Sequence, residues 1–190
     1  MELRCNLLAP LLDDVAEARK LTVFDAGSAT PETVEFFSRY KCRLHFADLY
    51  SAEALACVAD ELDENELVAH FHRQLGYPAT TKFDLCLLWD VLNYLSEPAL
   101  TAFTKVLSGY SAPDTRIHGF ATLKPTTPLP NQGYSIRKTN VLKARKRPEA
   151  QFPRYPHSQL TLNHSLSGMK IKKVTLLVSG LLEMSLKSTS

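Results

Sequence analysis

The chain has 190 residues, 45% of them apolar and 22% charged, with a formal net charge of +2. That length suits one domain with a full core, and the balance is that of a globular protein rather than a disordered or fibrous one. So small a positive excess demands neither a nucleic acid nor a membrane surface as partner, and no apolar run reaches bilayer length.

Leu7, Leu8, Leu11, Leu12, Val15 and Ala18 recur at helical spacing, which predicts an amphipathic helix over 6–19. Leu21–Phe24 reads as a strand, followed by a turn of small residues, Asp25-Ala26-Gly27-Ser28-Ala29. Thr30 and Pro31 suit an N-cap and a first helical position, since the hydroxyl accepts an orphan amide and proline has none to waste. The helix they open is expected over 31–40, burying Val34, Phe36 and Phe37. Leu44 and Phe46 carry a second strand towards Asp48. Ser51 then caps a helix bearing Leu55, Val58 and Leu62, and a further helix near 64–75 ends at Gly76 and Pro78. Phe83–Trp89 (FDLCLLW) is nearly continuous apolar sequence, as in a parallel strand covered on both faces. Ser96-Glu97-Pro98 starts a helix with Leu100, Phe103, Val106 and Leu107 inward, and 116–123 is the next strand.

Residues 124–157 change character. Six of the eleven prolines fall there with a basic cluster, so the segment is expected to be a lid, an insertion or a substrate loop. Tyr134–Leu142 within it predicts a short strand, and 158–166 a brief helix. Two strand-like runs, 169–177 and 181–187, flank Val178-Ser179-Gly180 as a hairpin. Strand–helix alternation closed by an antiparallel pair predicts a three-layer α/β sheet, mostly parallel. The hairpin argues against a plain dinucleotide-binding domain, which ends on a parallel strand. The expected organisation is a single domain, 1–190, with a Pro-rich basic insertion at about 124–157.

The acids Asp25 and Asp48 stand 23 residues apart across strand, turn, helix and strand. Such acids at the carboxyl edge of an open α/β sheet are placed to accept hydrogen bonds from ribose hydroxyls. With VFDAGSAT, FADLY, FDLCLLWDVLNYL and the closing hairpin, the chain from about Leu21 to Lys187 resembles the class I S-adenosylmethionine (SAM)-dependent methyltransferases. The resemblance implies a Rossmann-like sheet with an antiparallel last strand, SAM as cofactor, and transfer of its methyl group to an acceptor that the sequence does not name. It implies that Asp25, Gly27 and Ser28 meet the methionine moiety and Asp48 the ribose, and that Trp89 and Asp90 flank the cofactor. Asn93 and Tyr94 would face the substrate, with Asp90 and Tyr94 the candidates for orienting the acceptor. Two features depart from the family. Only the first glycine of its acid-x-Gly-x-Gly-x-Gly turn is kept, with Ser28, Ala29, Thr30 and Pro31 following, and no third strand is evident between Asp48 and Phe83.

The other constellations are weaker. Six dispersed histidines show no ligand spacing, so no metal site is expected. Cys5, Cys42, Cys57 and Cys86 form no CxxC pair and read as free thiols. With no signal peptide in Met1-Glu2-Leu3-Arg4, a reduced cytoplasm is the expected compartment. Arg137, Lys138, Lys143, Arg145, Lys146, Arg147 and Arg154 crowd into eighteen residues. They read either as a solvated surface or as a footprint for an anionic substrate or RNA, with Arg145 and Arg147 the named substrate contacts. Two rivals to the enzyme therefore stand: a non-catalytic methyltransferase-like module that binds a protein, and an RNA-binding accessory domain.

Overall fold

A computed structural model describes residues 1–16, 20–55, 62–124, 126–147 and 152–189. Its main sheet is built from β2 (Leu21–Asp25), β3 (Cys42–Phe46), β4 (Phe83–Trp89), β5 (Ser111–Thr122), β8 (Met169–Leu176) and β9 (Leu181–Ser188), in the order β3-β2-β4-β5-β9-β8. The first four run parallel; β9 lies antiparallel to β5 and to β8. As expected for an interior strand, β4 is buried along nearly its whole length. A second sheet joins β1 (Glu2–Arg4), β6 (Gln132–Lys138) and β7 (Val141–Lys146), all antiparallel, in the order β1-β7-β6.

α2 (Pro31–Phe37) starts at the cap that Thr30-Pro31 predicts, and α4 (Glu64–Leu75) at a capping box that the sequence reading did not name. In α2 the Thr30 side chain accepts from the Thr33 amide, and in α4 Asp63 and Glu66 form a reciprocal capping box before Gly76 ends the helix at φ 55°. α1 spans Leu8–Ala16, α3 Ala52–Leu55, α5 Glu97–Gly109 and α6 Gln159–Ser165. α1 packs on β4 and β5, and α5 on β5, α4 and α6. The core is continuous, centred on Phe24, Phe83, Leu85, Leu87, Phe103 and Phe120.

Four details correct the sequence reading. α2 stops at Phe37 rather than residue 40, because the Ser38 hydroxyl bonds back to the Glu35 carbonyl (2.7 Å), and Val34 is 46% exposed while Thr33 takes the inward position. The 134–142 run is two strands, not one, turning at Thr139-Asn140. β1 was not foreseen: three residues are too few for periodicity to register. β5 starts at Ser111, five residues before the run of apolar residues. Between β3 and β4 the described residues hold α3, α4 and connecting turns with no strand, in line with the sequence reading. Ala18, Cys57, Val58, Pro125 and Pro148 lie outside the described residues. Among those described, Cys5, Cys42 and Cys86 are free thiols, and no helix is long and apolar enough to cross a membrane.

Candidate functional site

Three parallel strands, β3, β2 and β4, deliver their carboxyl ends side by side. β2 ends in Asp25, whose carboxylate is 3% exposed and accepts the Gly27 amide (2.8 Å) and the Trp89 indole N–H (2.6 Å) on the same oxygen. Burial pushes its pKa up to about 7, against the two hydrogen bonds, which pull it down. Trp89 closes β4 at φ 49°, a conformation that costs an L-residue about 1–3 kcal/mol and aims its indole back across the sheet. A Cβ built on Gly27 would stand 3.6 Å from that indole, so Trp89 lies directly on the glycine. Backbone bonds continue past the strands: Ala26 donates to Leu87, Ala47 accordingly to Asp25 and Leu49 to Ala26.

A second cluster adjoins it. Asp90 is fully buried and accepts from the Tyr50 hydroxyl (2.7 Å), from Arg147 Nη2 (3.1 Å) and, at 3.4 Å, from the Tyr134 hydroxyl. Burial raises its pKa, only partly offset by the charge of Arg147 and the bonds from Tyr50 and Arg147. Tyr134 stacks on Trp89 (centroids 5.7 Å, 21°), linking the two clusters. The hairpin that carries Tyr134 is seated on α2, where the Ile136 amide donates to the Thr33 hydroxyl (3.2 Å) and Glu32 pairs with Lys143 (2.7 Å) and Arg145.

The structure thus brings Asp25, Gly27 and Trp89 together, and Asp90, Tyr94 and Arg147 beside them. Ser28 is exposed in the turn, and Asp48 is exposed just beyond β3, at φ 42°. Asn93 sits in the 3-10 turn Val91–Tyr94, buried, its amide donating to the Asp90 and Phe120 carbonyls (2.9 Å each). Arg145 turns away to Glu32. Of the seven clustered cations, four pair with acids (Arg137 with Glu2, Lys143 and Arg145 with Glu32, Arg147 with Asp90), which depletes the expected anionic footprint. Tyr50 and Tyr134 are residues that the sequence reading missed; the signal for Tyr50 was an aromatic two positions after the strand-end acid. The structure also joins three buried metal-type donors that no spacing announced: Cys5, His118 and Glu183 have ligand atoms within 4.8 Å of one another. Glu183 spends its oxygens on the amides of Asn6 (2.6 Å) and Leu7 (2.9 Å) and on His118 Nε2 (2.9 Å).

No protein-family model matches the chain, and no curated protein matches it in sequence. Solved structures do. A SAM-dependent methyltransferase from Clostridium acetobutylicum ATCC 824 superposes with a TM-score of 0.56 at 14% identity, over 97% of this chain and 89% of that one. The 1,6-didemethyltoxoflavin-N1-methyltransferase of Burkholderia thailandensis, solved with S-adenosylhomocysteine, gives 0.51 at 15% identity over 97% and 76%. Magnesium protoporphyrin IX methyltransferase from Synechocystis PCC 6803, solved with SAM, gives 0.52 at 14% identity over 96% and 76%. The chain has the fold of the SAM-dependent methyltransferases. At these identities the likeness is one of fold.

Tested against SAM, the two ends of the methyltransferase-fold site differ. Asp48, the residue that the resemblance assigns to the ribose, has an exposed side chain just beyond β3. On the methionine side the arrangement does not fit as it stands: the face of Gly27 that would meet the cofactor is covered by Trp89, with Tyr134 stacked behind it.

Proposed function

We propose that this chain is a SAM-dependent methyltransferase of one domain, with the β6–β7 hairpin bringing Tyr134 against its site. The observation that supports the reading is the alignment of Asp25-Gly27, Asp48 and Trp89-Asp90 on three adjacent strand ends of a methyltransferase fold. In this reading Asp48 holds the ribose, Gly27 and Ser28 flank the methionine moiety, and Asp90 and Tyr94 orient the acceptor. SAM would supply the methyl group; no residue here is assigned as a base. Seating the cofactor on Gly27 requires the Trp89 indole to leave Asp25.

A second reading has a specific observation in its favour. If the Trp89–Asp25 bond never opens, the fold is a scaffold that binds another protein without catalysis. Calorimetric titration with SAM and with S-adenosylhomocysteine separates the two. The enzyme reading expects saturable heat, and a stabilisation of about 2.7 kcal/mol when ligand reaches 100 times its dissociation constant. Asp48→Ala should then weaken binding by about 1–3 kcal/mol, the usual loss for a hydrogen bond to a charged group. Neither heat nor a melting shift at millimolar ligand would leave the scaffold reading; unchanged affinity in the variant would remove Asp48 from the site.

A further inference from the structure

Arg147 enters the molecule in an unusual way. Its guanidinium lies 3.6 Å above the ring centre of Tyr50 and 5.5 Å from that of Tyr94, and its side chain is only 12% exposed. At the floor is Asp90, with no exposed surface, and Tyr134 forms another wall through its hydroxyl. Aromatic faces around a desolvated carboxylate are the features by which proteins recognise a cation, because the ring quadrupoles and the acid attract it together.

The occupant uses this enclosure incompletely. Arg147 reaches Asp90 through one nitrogen at 3.1 Å, whereas a guanidinium matched to a carboxylate makes two parallel bonds. The second Asp90 oxygen takes a long contact from Tyr134, at 3.4 Å. The Tyr94 hydroxyl is buried beside the guanidinium yet makes no hydrogen bond of good geometry. Arg147's other side-chain contact, to Asn131 Oδ1, is also long at 3.4 Å. Arg147 lies one residue past the end of β7, so its side chain can withdraw by rotamer change while the paired strands stay intact.

We propose that Asp90, Tyr50, Tyr94 and Tyr134 form a receptor for the cationic group of a ligand, a guanidinium or an alkylammonium, and that Arg147 is its intramolecular occupant, displaced when the ligand binds. A neutral ligand cannot replace it, because Asp90 would be left buried without a countercharge. Binding is therefore competitive within the chain, and the affinity of a free cation is reduced by the fraction of time Arg147 is seated.

The test uses the full chain at constant ionic strength, with methylguanidinium and butylammonium as probes and methylurea as the neutral control. The wild-type protein should show saturable binding and a rise in melting temperature with the cations in the millimolar range, and none with methylurea. Arg147→Met, which vacates the seat, should bind the same cations at least tenfold more tightly, and Tyr50→Leu in that background should abolish the gain. If Arg147→Met does not fold, Arg147→Lys, a shorter occupant without the stacked plane, should tighten binding in the same direction. Cation binding by the vacated variant alone, with none by the wild type, would make Arg147 a fixed ion pair and overturn the proposal. An equal response to methylurea would overturn it as well. No SAM is present in this titration, so its failure and the failure of cofactor binding are read separately.

Discussion

Glu183→Ala is expected to lower the melting temperature by about 10 °C, the shift that a loss of about 3–5 kcal/mol produces in a domain of this size. Glu183 has no exposed surface and stands on β9, yet it holds the beginning of the chain through the amides of Asn6 and Leu7 and also holds His118. Burial alone would raise its pKa; the bonds from His118, Asn6 and Leu7 outweigh it and keep the carboxyl below its usual value. Alanine removes every one of these acceptors and leaves the Leu7 amide and the His118 imidazole unpaired in the interior. Glu64→Ala is the control, since its pair with Lys105 is exposed on both sides and should matter by no more than about 0.5 kcal/mol. Thermal melts of the three proteins decide the matter. A loss at Glu183 as small as that at Glu64 would mean that the first turn of α1 is held by packing alone.

The second large effect is a dependence on pH. The folded protein keeps a proton on Asp25 up to about pH 7, whereas the unfolded chain releases it near the ordinary value of 3.8. This contribution to stability is complete below about pH 4 and is lost as the pH rises towards 7, above which both states are ionised and the curve is flat. The span corresponds to about 4 kcal/mol. Asp25→Asn should remove it, because both native hydrogen bonds fall on one oxygen, which the amide retains without the charge. Urea unfolding at pH 5 and pH 8 should therefore show the wild type weakening with pH more steeply than the variant, the variant being the more stable at pH 8. Parallel curves for the two proteins would place the proton elsewhere.

The framework was legible because its signals are local. Apolar runs, Thr30-Pro31 and Gly76 each mark an element through the few residues around it. The missing third strand was legible for the same reason, since the stretch before Phe83 offers helical spacing. What escaped depends on contacts between distant segments. The sequence marks Trp89 as a strand end, but only the left-handed backbone there directs its indole onto Gly27. Arg147 reads as one of seven clustered cations until the fold carries it to Asp90, 57 positions away. Val34 and Thr33 exchanged places because the inward face of α2 is set by the hairpin on top of it, and that partner lies a hundred residues downstream.

The anchoring of residues 2–7 also has a consequence for how the chain assembles. β1 needs β7, and the amides of Asn6 and Leu7 need Glu183, a separation of more than 170 positions. Strands β2 to β5 pair segments that are nearer in sequence, whereas residues 2–7 must wait for β7 and Glu183. Closing so long a loop is slow, because its entropy must be spent before any contact rewards it. As the chain folds, residues 2–7 therefore stay without their native partners while the parallel strands form, and they dock late.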